Sequence, residues 1–163
     1  MLHEAPQLLI ALEQSGLAAA IRQSVWAYPA ANVGHIVALT LFAGSVAIMD
    51  ARLLGAFAAA PPADVVRPAR RAAMLGLLLM LITGSVLFTA EASHVGTNRV
   101  FQIKAALIGL GLLNAFFAGR ALAPLLDAAP AFEPLPARIR LSALLSLAIW
   151  ISVAACGRLI AYF

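Results

Sequence analysis

Four long apolar runs constrain what this 163-residue chain can fold into more than anything else in it. They extend from about Val33 to Phe57, Ala72 to Ala90, Val100 to Gly119 and Leu141 to Tyr162. At about 1.5 Å per helical residue, each run can cross a hydrocarbon layer of about 30 Å. A water-soluble domain of this length needs a polar exterior, and this chain is 63% hydrophobic and only 11% charged. The expected fold is therefore all-α: an integral membrane four-helix bundle, one domain over residues 1–163, with the lipid bilayer as its first partner.

The segment before the first run has a different character. Residues 5–24 place Leu8, Leu9, Leu12 and Ile21 on one broad side, with Glu13, Gln14 and Arg22 elsewhere. Such a segment is too polar to span and predicts an amphipathic helix lying in the membrane interface. His3 falls in the same region. Glu4 and Glu13, with no basic stretch before Leu8, argue against a cleavable signal peptide. Trp26 and Tyr28 suit an interfacial belt, and Pro29 suits the first turn of a helix. Pro61, Pro62 and Pro68 punctuate the loop after the first run; Pro124, Pro130, Pro134 and Pro136 punctuate the loop after the third.

Arginines give the orientation. Arg52, Arg67, Arg70, Arg71, Arg120, Arg138 and Arg140 flank one side of the bundle, against Arg22, Arg99, Lys104 and Arg158 on the other. Positive charge marks the cytoplasmic side, which places both termini outside, in the periplasm for a bacterial inner membrane. The basic residues border apolar runs rather than forming a basic, aromatic-studded stripe, so no nucleic-acid partner is expected.

Counting along the helices places polar residues in a layer at the outer side. His35 is about 22 Å of helix from Asp50, Lys104 about 24 Å from Arg120, Arg158 about 27 Å from Arg140, and Glu91 about 30 Å from Arg71. His94 lies almost one turn farther out. Polar groups at membrane depth are costly and mark function. One reading is haem b. His35 and His94, the metal-ligand candidates, would serve as axial pair, or His35 alone as a single ligand. Lys104, Arg158 and Arg99 would take the propionates. Glycines 34, 44, 76 and 84 would let a flat ring approach the backbone. The other reading is structural. His35 hydrogen-bonds a carbonyl or Glu91, and Lys104 and Arg158 snorkel to headgroups.

Other features carry less. Met49, Met74 and Met80 form no closely spaced thioether motif for copper and read as packing. Asp50 and Arg52 bracket one helix end as an ion pair or charged interface. Asn114 reads as a hydrogen bond between helices. Cys156, the single cysteine, excludes an internal disulfide and reads as a small core residue. No phosphate loop, nucleophile elbow or H-E-x-x-H occurs.

The stretches Trp26-Ala27-Tyr28-Pro29, His35-Ile36, Gly44-Ser45 and Asp50-Ala51-Arg52-Leu53-Leu54-Gly55 occur in that order. Thr83-Gly84, Phe101-Gln102-Ile103-Lys104, Asn114 and Gly157-Arg158-Leu159-Ile160-Ala161-Tyr162 follow. Over nearly its whole length the chain thereby resembles a family of small bacterial inner-membrane proteins described as a domain of unknown function. The resemblance implies four transmembrane helices, with His35, Asp50, Arg52, Lys104 and Arg158 at positions belonging to the family pattern. It departs at His94, where the family more often has an aromatic residue, and at Asn32, where glutamate is common. More loosely, the architecture is similar to four-helix cytochrome b561 and copper-resistance membrane proteins, which implies redox work.

Three functions follow as expectations. The first is an electron-transfer subunit binding haem b near the periplasmic face, exchanging electrons with quinol or with a periplasmic or membrane protein. The second is a non-catalytic subunit that anchors or assembles a larger membrane complex. The third, passage of a small solute or metal ion, fits four spans with few polar core residues poorly.

Overall fold

The computed structural model describes residues 5–126, 128–160 and 162; His3, Glu4 and Ala161 lie outside them. Among the described residues the chain forms seven helices and no strand: α1 (Gln7–Glu13), α2 (Gly16–Gln23), α3 (Ala27–Leu54), α4 (Pro62–Ala90), α5 (Ala92–Thr97), α6 (Arg99–Leu126) and α7 (Ala137–Leu159). Helices α3, α4, α6 and α7 are long and apolar enough to cross a membrane. The protein is thus the expected all-α multi-pass bundle.

Two hairpins build it. Helices α3 and α4 share the most extensive contact, α6 and α7 the next, and α3 packs on α7 to join the pairs. At one close approach of the two backbones α4 offers a glycine. A Cβ on Gly76 would stand 2.8 Å from the Phe42 backbone nitrogen. Between the hairpins, Trp150 sits edge-on to Phe42, ring centroids 4.6 Å apart. Asn114 and Ser142 tie α6 to α7 as expected: Asn114 Nδ2 donates to the Ser142 carbonyl at 3.0 Å, and Ser142 Oγ donates to Asn114 Oδ1 at 2.8 Å.

The spanning helices begin earlier than the apolar runs, and three end differently. Proline explains much of this. Pro62 occupies the first position of α4, where a missing N–H costs nothing, and Pro68 is carried inside the helix. These prolines open α4 rather than break a loop. Pro124 is likewise held within α6, and Pro136 caps α7. Helix α3 stops at a glycine: Gly55 has φ +113°, its N–H reaches the Arg52 carbonyl, and Ala56 N–H reaches the Ala51 carbonyl.

The interfacial segment is two short helices rather than one. Ser15 interrupts it, turning its hydroxyl to the Leu12 carbonyl at 2.6 Å while accepting from Ala18 N at 3.2 Å to cap α2. Helix α1 packs on α5 and α2 on α4 and α3, so the segment covers the bundle end where α3 begins and α4 ends.

Candidate functional site at the His35 end

His35 projects from the third turn of α3 and is half-buried. Its Nδ1 lies 2.9 Å from Thr83 Oγ1 on α4. The Thr83 hydroxyl has one proton, and at 2.7 Å the Leu79 carbonyl takes it. With its proton on that carbonyl Thr83 accepts from the ring, a geometry that favours hydrogen on Nδ1 and a lone pair on Nε2; the Met80 backbone carbonyl also faces the ring. This is the arrangement that orients a ligating or proton-accepting imidazole. Gly84, next in sequence, lets the ring lie close: a Cβ there would be 3.2 Å from His35 Cε1.

Lys104 of α6 completes the centre. It is half-buried and within electrostatic reach of His35 and of Cys156 on α7. Its Nζ lies 3.4 Å from where a Gly157 Cβ would stand, so the ammonium rests beside α7 at that residue. Four spans therefore contribute to one level: His35, Thr83, Lys104 and the Cys156-Gly157 pair.

Of the other predicted residues, Arg158 follows Gly157 on α7 and shares its level, while Glu91 and His94 come at and beyond the end of α4. Glu91 caps the far end of α4, about 12 Å of helix beyond Thr83, and accepts from Tyr28 OH at 3.4 Å. Counting from Arg71 misplaced it, because α4 begins at Pro62. Arg158 is exposed and turned onto its own C-terminal neighbour, donating to Tyr162 OH with its guanidinium 4.8 Å from that ring's centroid. His94 is exposed on α5, in a shallow depression with Thr97, Asn98, Arg99 and Val100. Neither His94 nor Arg158 is brought into contact with His35 by any bond among the described residues. No group of three or more His, Cys, Asp or Glu side chains that would hold a metal ion occurs among them.

A clasp roofs this end. Ser93 N–H donates to Glu13 Oε2 at 2.7 Å, and Ser93 Oγ donates to the same oxygen. These donors hold the Glu13 carboxyl below its ordinary 4.5, with smaller help from the positive charges of Arg22 and His94. Arg22 Nη1 meanwhile donates to the Ala90 carbonyl at 2.8 Å, satisfying a helix-terminal acceptor of α4.

The model of a family of unknown function, DUF6644, matches residues 14–163. The chain is a DUF6644 protein. No curated protein and no solved structure matches it. The match takes in the whole four-span bundle and leaves α1 outside, so the His35 centre of this DUF6644 protein lies within the family's own region.

Thr83 and Gly157 were invisible as site residues from sequence alone. Their signal is helical counting from true helix ends. From Leu54, Pro62, Leu126 and Ala137, the residues His35, Thr83, Lys104 and Gly157 stand about 28, 32, 33 and 30 Å along their helices.

Proposed function

We propose that this DUF6644 protein is a membrane electron-transfer subunit whose centre is His35, binding haem b through Nε2 at the periplasmic side of a bacterial inner membrane. The observation that carries the reading is the Thr83 relay, which spends Nδ1 on a fixed hydrogen bond and leaves Nε2 as the free donor atom. Lys104, at the same level, supplies a cation for a propionate. With His94 exposed on α5, His35 would be the one histidine of this centre to hold the haem. Haem would contribute one-electron chemistry; the chain's part is to orient the imidazole, offer the ammonium and cover the end with α1 and α2. The arginines around the opposite end, Arg52 to Arg71 and Arg120 to Arg140, support the orientation. Electrons would be exchanged with quinol or with a protein docked at the covered end.

An absorption spectrum tests this. Protein purified from haem-replete cells should show a Soret band that is lost in His35→Ala and retained in His94→Ala. Absence of both the band and iron from the intact protein would sink the proposal.

One observation favours the anchoring alternative. Only 6% of the apolar stretch of α6 is buried within the chain, against 33% for α3. A span so uncovered suits a subunit that lends a helix face to a larger assembly. Copurification of a stoichiometric membrane protein in mild detergent, lost on placing a tryptophan at Gly109, would support that role; a lone monomer would count against it.

A further inference from the structure

The opposite half of the bundle holds a cavity of about 290 Å³, lined by all four spans. Its walls are apolar and partly aromatic, with Phe42, Phe116 and Trp150 among them. One wall carries Asp50, only 1% exposed, whose Oδ2 is buried without any hydrogen-bond partner. Ser146 approaches the same carboxyl from α7. A buried polar oxygen left unpaired costs about 1–3 kcal/mol, and more when charged. The cavity therefore carries an unmet demand for a hydrogen-bond donor.

We propose that this cavity binds a membrane quinol, a hydroxylated ring on an apolar tail, with a ring hydroxyl donating to Asp50 Oδ2. The surroundings narrow the choice to this chemistry. An anionic head, as in a fatty acid, would meet the Asp50 carboxyl. A metal cation would find one carboxylate and, at the mouth, the Arg70 guanidinium, which lies against Gly119 with Nη2 3.0 Å from where a Cβ would stand. A neutral donor head escapes both repulsions. The volume is at the small end for a ligand pocket and suits a single ring. The tail has an exit, since the α4 and α6 backbones stay apart between the Phe88–Phe101 stack and the Arg70–Gly119 contact, although both helices line the cavity. Met74 and Phe116, both more than half exposed, flank that opening toward lipid.

The inference shares with the proposed function only the quinol as ligand class; none of its residues belongs to the His35 centre. The probe is decyl benzoquinol, kept reduced, and its dimethyl ether, which has the same ring and tail but no donor. Trp26→Phe leaves Trp150 as the single tryptophan of the two in the chain, a reporter inside the cavity. In full-length protein in phosphatidylcholine nanodiscs, saturable quenching of Trp150 should show the quinol binding at least ~10-fold tighter than the ether. Asp50→Ala should erase that preference while leaving ether binding in place. Equal affinities in the wild type would identify an acyl-chain site and overturn the proposal, as would no saturable quenching or a preference that survives Asp50→Ala. The wild-type comparison stands even if the variant fails to fold. A protein without a Soret band that still prefers the quinol loses the haem reading and keeps this site.

Discussion

The two ends of the bundle treat their polar residues in opposite ways. At the His35 end, polar side chains are half-buried or exposed and lean on neighbours from other helices: His35 on Thr83, Arg22 on Ala90, Glu13 on Ser93. At the other end, Arg52 and Asp50 are 2% and 1% exposed. Arg52 is anchored, its Nε and Nη2 donating to the Ala60 carbonyl at 3.1 and 2.8 Å across the α3–α4 turn. Two residues away, Asp50 keeps an oxygen unpaired. The contrast separates two uses of a buried charge. Arg52 closes a turn with a two-pronged bond, while Asp50 keeps an atom to spare inside the bundle.

The contrast breaks most visibly at Arg52. Arg52→Leu strands the Ala60 carbonyl and removes both charge-assisted bonds, and should cost about 3 kcal/mol of stability. Arg52→Lys should recover only part of this, because an ammonium cannot match the two-pronged guanidinium. Thermal unfolding in detergent followed by circular dichroism measures it; a melting point unchanged in Arg52→Leu would show that the turn closes without its arginine.

The next effect lies midway between the ends, where α3 and α4 come closest. Gly76→Ala puts a Cβ 2.8–3.0 Å from Phe42 atoms, two of them backbone, and should destabilise by about 1–3 kcal/mol. Gly44→Ala, with nothing within 4 Å, should be neutral or gain up to about 1 kcal/mol through helix propensity. Should the two variants melt together, the hairpin does not depend on that close approach.

Much of this was legible before any coordinates. Run length and composition alone implied four spans, because only lipid tolerates such an exterior. His35 and Lys104 were found at one level by counting rises. Helix ends were the weak point: prolines at 61, 62 and 68 read as loop, yet Pro62 and Pro68 are inside α4. That error of about nine residues carried Glu91 to the level where Thr83 and Gly84 stand. The burial of Asp50 was readable in principle. It continues the stripe Ala38, Phe42, Val46 at four-residue spacing, all buried. Its charge drew it to the interface in the reading, whereas helix phase points it inward. The cavity had no sequence signal, since it arises from the spacing of α4 and α6, which no local pattern encodes.

At the His35 end a single hydroxyl sharpens the comparison. Thr83→Val keeps the shape and removes the acceptor for Nδ1–H, at a cost of about 1 kcal/mol. The larger consequence is chemical. Nitrogen-15 shifts of the His35 ring should report the Nδ1–H form alone in the wild type and a mixture of tautomers in Thr83→Val. An unchanged ring spectrum in the variant would mean that Thr83 does not set the tautomer, and the free Nε2 would lose its explanation.

The smallest effect belongs to the clasp over that end, and its sign follows from Glu13. The folded carboxyl is held below its ordinary 4.5, chiefly by the Ser93 hydroxyl and then by the Ser93 amide. A carboxylate depressed in the folded state contributes its stabilisation above the unfolded value and loses it as pH falls through the folded value. The clasp should therefore be intact at neutral pH and open as pH falls through the folded value, below the ordinary 4.5. Glu13 is near the surface, so solvent screens most of the charge and the change stays local to α1 and α5. Hydrogen exchange at the Ser93 amide, corrected for its intrinsic rate, measures it. Protection should fall on acidification while that of α3 and α4 holds. In Glu13→Gln, a neutral acceptor should leave protection lower at pH 7 and flat with pH. Protection at Ser93 that ignores both acid and the substitution would mean that α1 is held by its apolar contact with α5, where a Leu9 methyl lies 2.6 Å from the place a Gly96 Cβ would take.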